Sequence, residues 1–130
     1  MLEGGGVRDH EHDRERAAAE QAARRRLMDA GASDLPRAPW RHERQPPSAA
    51  ELLRFAVWPG QERTDEDVLA ALTLLPAARA EMDQLEAAVL FTARAQGLSW
   101  SRIARAMGLG SAQAALQRFD RITSRSQREE

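Results

Sequence analysis

Apolar residues recur along this chain at helical steps of three and four, and they are distributed unevenly. The first 47 residues show such a pattern only around Ala17 to Met28, where alanines with Leu27 and Met28 predict a helix over 17–29. Its apolar face is mostly alanine, and a helix this short is marginal in water unless it docks on something. Beyond Gly31, Pro36, Pro39, Pro46 and Pro47 interrupt helix and disfavour it in the residues before them, so the stretch reads as a linker in which Trp40 is the large apolar residue able to pack on a folded body. Residues 1–47 are therefore expected to form a disordered arm and linker.

Order is expected from Ser48. Ser48 followed by Glu51 reads as a capping box before Leu52, Leu53, Phe55 and Val57, predicting a helix over 49–58 that Pro59 and Gly60 end. Thr64, followed by Asp65, Glu66 and Asp67, starts another helix, with Val68, Leu69, Leu72 and Leu75 as its expected buried stripe. Pro76 suits either the first turn of a third helix or a kink in one continuous helix. From Ala78 the positions Met82, Leu85, Val89 and Thr92 mark the next inward face, widened by Leu90 and Phe91, and Gly97 ends it.

Ser99 then caps a two-turn helix with Trp100, Ile103, Ala104 and Met107 on one face. Gly108, Leu109 and Gly110 break it. Ser111 caps a last helix, 112–124, whose inward residues are Ala112, Ala115, Leu116, Phe119 and Ile122. No segment combines strand alternation with flanking turns, so the expected fold is all-α. Residues 48–75 supply two short helices, as core or as dimer interface. Residues 76–124 form a C-terminal trihelical unit, and 125–130 a tail.

Charge sharpens this picture more than composition does. The net charge is −1, all 19 basic residues are arginine, and there is no cysteine, which excludes disulfides and thiolate chemistry. Yet residues 62–86 hold seven acids and two arginines, whereas 87–128 hold seven arginines and the single acid Asp120. No apolar run has the length of a membrane span, so a cytoplasmic protein is expected, without a membrane role. Catalysis is not expected: there is no glycine-rich phosphate loop in a strand-to-helix context, and His10, His12 and His42 all precede the ordered region. A metal site at these histidines is opposed by the entropy of ordering a mobile arm, so neither metal nor cofactor is expected.

Two short helices joined by a glycine turn, with small Ala104 at the crossing, Gly108 suited to the left-handed turn position and Leu109 as plug, fit a helix-turn-helix; a plain helical hairpin also fits. If the apolar stripe faces inward, the outward face of the last helix carries Gln113, Ala114, Gln117, Arg118 and Arg121. Glutamine pairs two-pronged with adenine and arginine with guanine in the major groove, so these are the candidate base readers. Ser99, Arg102, Arg105, Ser111 and Arg125 are the candidate phosphate contacts, with Arg94 beside them.

The stretch GLSWSRIARAMGLGSAQAALQRFDRI, Gly97 to Ile122, resembles a group of small helix-turn-helix DNA-binding proteins of high-GC bacteria, and more loosely region 4 of sigma factors. The resemblance extends upstream to Leu72. It implies a trihelical core, with base reading by Ser111, Gln113, Gln117 and Arg118 and support from Trp100 and Phe119. Ala112 stands where the group implies an arginine after the capping serine, and Gly110 lengthens the turn by a residue. The expected function is that of a sequence-specific, nucleoid-associated DNA-binding regulator, working as a homodimer because one such module covers little DNA. The alternative is a protein-interaction module that binds RNA polymerase, a sigma factor or another regulator through the acidic segment 62–86.

Overall fold

A computed structural model describes residues 3–37, 39–41 and 45–129. Among the described residues every regular element is helical: α1 (Glu3–Asp29), a 3-10 turn (Ala32–Asp34), α2 (Ala49–Ala56), α3 (Asp65–Thr73), α4 (Leu75–Ala95), α5 (Trp100–Met107) and α6 (Ala112–Glu129). The fold is all-α. None of these helices is long and apolar enough to cross a membrane. The chain divides into two units, 1–78 and 79–130. The division falls just inside α4, slightly beyond the boundary expected at residue 75.

In the first unit, α1 extends well before the helix expected over 17–29. It runs from Glu3, and its last turns bury Ala23 and Leu27 against Ala32, Leu52, Phe55, Ala56, Ala70 and Leu74. Docking supplies what the sequence of α1 lacks by itself, a continuous apolar partner. The linker is tied down at Ala32, Pro47 and Ala49, all buried. Trp40, expected to pack, is 84% exposed, and Trp58 is exposed as well.

Ser48 Oγ accepts from the Glu51 amide at 3.2 Å and caps α2. The Glu51 carboxylate turns to Arg41 at 3.1 Å rather than back to the cap, so the expected box is realised on one side. The reciprocal box appears instead at α3. Thr64 Oγ1 accepts from the Asp67 amide, and the Thr64 amide donates to Asp67 Oδ2, each at 3.2 Å. Asp67 also receives Arg26 from α1 at 3.0 Å, and this guanidinium, first, then the Thr64 amide, hold its carboxyl below the usual aspartate range.

The buried face of α3 corrects the sequence expectation. Val68, Leu69 and Leu72 are exposed, and the unit is closed by Asp67, Ala70 and Leu74. The same inversion occurs on α4, where Met82, Leu85, Val89 and Phe91 are exposed and Leu90 is buried. Small Ala70 lets α3 approach closely, and Asp67 is tolerated inside because each of its carboxylate oxygens accepts from a donor. The alternative at Pro76 is also resolved: α3 ends at Thr73, Leu74 turns, and Pro76 sits in the first turn of α4, where a missing amide costs nothing.

Candidate nucleic-acid interface

The second unit is built around the step from α4 through α5 to α6. Each connection is set by local backbone chemistry. At the end of α4, Gly97 takes φ 87°, its amide donates to Arg94 O at 2.9 Å, and the Leu98 amide donates to Ala93 O at 3.1 Å. At the end of α5, Gly108 takes φ 73°, its amide donates to Arg105 O at 3.2 Å, and the Leu109 amide donates to Ala104 O at 2.8 Å. Both are Schellman closures, in which a left-handed residue lets the next amides satisfy otherwise orphaned carbonyls. Leu98 and Leu109, the residues after each glycine, fold back onto the core.

Serines open the two following helices. Ser99 Oγ accepts from the Arg102 amide and Ser111 Oγ from the Ala114 amide, both at 3.2 Å. The expected core residues come together: Ile103, Ala104, Ala115 and Leu90 are buried, with Trp100, Met107, Leu109 and Phe119 packed on them. Ile122 is also buried, and Leu116 is half-buried. The Trp100 and Phe119 rings meet at 5.7 Å between centroids, tilted by 48°. Ala104 and Ala115, one on each helix, have almost no exposed surface, so α5 and α6 approach where neither carries a side chain beyond Cβ.

The candidate contact residues separate into two groups. Arg102, Arg105, Gln113, Gln117 and Arg121 are exposed, and none of the three arginines has an ion-pair partner among the described residues. Ser99 and Ser111 are exposed, with their hydroxyl oxygens serving as caps. The others are engaged or withdrawn. Ala114 is half-buried. Arg118 is held by Glu86 in a two-pronged pair, Nε at 3.1 and 3.2 Å and Nη2 at 2.8 Å from the carboxylate. That pair raises the already high pKa of Arg118, first through the hydrogen bonds and then through the charge of Glu86. Arg125 lies 3.6 Å from Asp83. Arg94 donates to Leu98 O at 2.9 Å and stacks 5.2 Å over the Trp100 ring.

Glu86 and Asp83 are therefore the residues that sequence reading missed. Their pairings run in opposite directions along the two helices, 83 with 125 and 86 with 118, so α4 and α6 are antiparallel where they meet. No local spacing signals a pair 32 residues apart. Residues 125–129, expected as a tail, continue α6. On α1, His10 and His12 are exposed, while His42 lies outside the described residues. Among the described residues no three His, Asp or Glu side chains gather as a metal site would require.

What remains is a surface rather than a cavity. Five exposed donors, Arg102 and Arg105 on α5 and Gln113, Gln117 and Arg121 on α6, are carried by two helices whose starts are capped by Ser99 and Ser111. Asp120 borders Arg121 in a shallow groove on α6 and is the acid of that helix before its last residues. Compared with protein-family models, with curated proteins and with solved structures, the chain matches none.

Proposed function

We propose that the second unit binds duplex DNA as a helix-turn-helix, with α6 as the recognition helix in the major groove and α5 across the phosphate backbone. The observation that carries this reading is the pair of unpaired arginines on α5, Arg102 and Arg105, beside the exposed Gln113, Gln117 and Arg121 of α6. With no carboxylate partner among the described residues, these arginines have no internal ion pair to break before they meet a phosphate. Gln113 and Gln117 lie one turn apart, as side chains must if they are to reach neighbouring base edges, and both amides offer the paired donor and acceptor that adenine presents. Arg121 continues the same face.

Arg118 takes a different role in this reading. Its fork is filled by Glu86, so it acts as a strut between α4 and α6 and reads no base. Arg125 is similarly turned toward Asp83. A single module covers little DNA, and specific binding by this surface therefore calls for two copies on adjacent half-sites.

The test is a titration of the protein onto mixed-sequence duplex DNA, followed by fluorescence anisotropy, at about 50 and 200 mM salt. Each neutralised phosphate contributes a slope near −0.9, so Arg102 and Arg105 alone predict a fall of roughly twelvefold over that range. Arg102→Ala with Arg105→Ala should flatten this dependence, and Arg121→Ala should weaken binding to a selected site more than to mixed sequence. Absence of binding by the unaltered protein at the lower salt overturns the reading.

A further inference from the structure

The outward face of α3 is apolar although nothing in its own unit covers it. Asp65, Val68, Leu69 and Leu72 follow the i, i+3, i+4, i+7 spacing and share one side of the helix. Val68, Leu69 and Leu72 are 47%, 60% and 53% exposed, while the opposite side, Asp67, Ala70 and Leu74, is buried. Folding of the unit does not need three large apolar side chains there, since α3 is already closed by a reciprocal capping box and by its small buried face. A contiguous apolar patch of this kind on a polar chain marks a contact surface.

Its rim has one sign. Glu62, Asp65 and Glu66 make no ion pair among the described residues, in contrast to Asp67, which is spent on Arg26 and Thr64. Two cations lie nearby, and both are engaged: Arg26 is held by Asp67 and Thr64. Arg63 stacks 4.0 Å from the Phe55 ring and donates to Phe55 O at 3.1 Å. The face is thus a leucine and valine stripe headed and flanked by three uncompensated carboxylates.

We propose that this face docks a basic amphipathic helix of a partner protein. The partner's apolar stripe lies against Val68, Leu69 and Leu72, and its arginines or lysines flank Glu62, Asp65 and Glu66. This is the recurring helix-on-apolar-face mode of peptide recognition, with sign complementarity setting orientation. Charge also decides against a parallel second copy of this chain as occupant, because α3 beside α3 in that sense would oppose like carboxylates at the first turn. Nucleic acid and anionic lipid are repelled by the same rim. The inference is independent of what the second unit binds. A nine-residue helix offers less than a standard interface, so a Kd on the order of tens of micromolar is expected for a single helical probe.

The experiment is isothermal titration of the full chain with a synthetic peptide of about 18 residues, five helical turns, carrying leucines on one stripe and arginines elsewhere. Two further peptides serve as probes, one of identical composition with the leucines scattered and one with glutamate for arginine. Leu69→Ala should weaken the arginine peptide at least tenfold, the consequence of losing one anchor worth about 1.4 kcal/mol. Asp65→Asn with Glu66→Gln should weaken it at low salt. Leu85→Ala, the same change on the exposed face of α4, should leave binding unchanged, and circular dichroism of each variant should show unaltered helix content. The proposal is overturned if the arginine peptide fails to bind, or if the scattered or glutamate peptide binds equally well. It is overturned equally if Leu85→Ala has the effect of Leu69→Ala, or if Leu69→Ala abolishes self-association instead of peptide binding.

Discussion

Replacing Gly108 by alanine tests the turn on which the whole α5–α6 surface depends. The residue sits at φ 73° and ψ 22°, and the two amides that close α5 are its own and that of Leu109. An L-residue pays about 1–2 kcal/mol to occupy the left-handed region. Against this, alanine lowers the entropy of the unfolded chain and returns about 0.4–1 kcal/mol. Contact adds nothing, because a Cβ built at Gly108 meets no atom within 4 Å. The net loss is therefore about 1 kcal/mol, or roughly 4–8 °C in the melting temperature of a small domain. Gly110, two residues on, has no positive φ and equally open space, so Gly110→Ala keeps only the entropic gain and should stabilise by about 0.4–1 kcal/mol. Gly108→Asn, the residue type that tolerates this conformation best after glycine, should fall between wild type and alanine. Urea unfolding followed by far-ultraviolet circular dichroism, with hydrogen exchange at the amides of Gly108 and Leu109, measures all three. A Gly108→Ala variant as stable as the wild type, or a Gly110→Ala variant less stable than Gly108→Ala, would refute the reasoning.

Three other outcomes follow from the packing and the ion pairs. Leu27→Ala should cost about 2–5 kcal/mol, because the side chain is fully buried and its loss leaves a cavity where α1 docks; Met82→Ala, 64% exposed on α4, should change stability by no more than about 0.5 kcal/mol. Arg118 and Glu86, both partly open to solvent, should show a coupling of about 0.2–1 kcal/mol in a double-mutant cycle of Arg118→Ala with Glu86→Gln, shrinking as salt is added. The folded-state pKa of Asp67 lies below its ordinary value of 3.8, so its contribution is complete above that value and is lost as pH falls through the folded pKa. Acid unfolding of the wild type should accordingly show a stability loss below about pH 4 that is reduced in Arg26→Ala, and an equal acid response in the two proteins would contradict the Arg26 assignment.

Local chemistry was legible wherever a feature depends on residues within one turn of each other. Ser48, Thr64, Ser99 and Ser111 begin helices because a hydroxyl reaches an amide three residues on, and Gly97 and Gly108 end them because glycine reaches positive φ without strain. The all-α fold and the inward set from Trp100 to Ile122 follow from the same short-range periodicity. Those choices were determined by the sequence itself. The inner faces of α3 and α4 were not, since each helix carries two apolar stripes and periodicity cannot rank them. What decides between them is the neighbour: α1 and α2 accept a close helix bearing Ala70 and Leu74, and leave Val68, Leu69 and Leu72 outside. The docking of α1, the exposure of Trp40 and the capture of Arg118 by Glu86 are of the same kind. Each depends on groups far apart in the chain, whose attraction acts only after folding has brought them within a few ångströms.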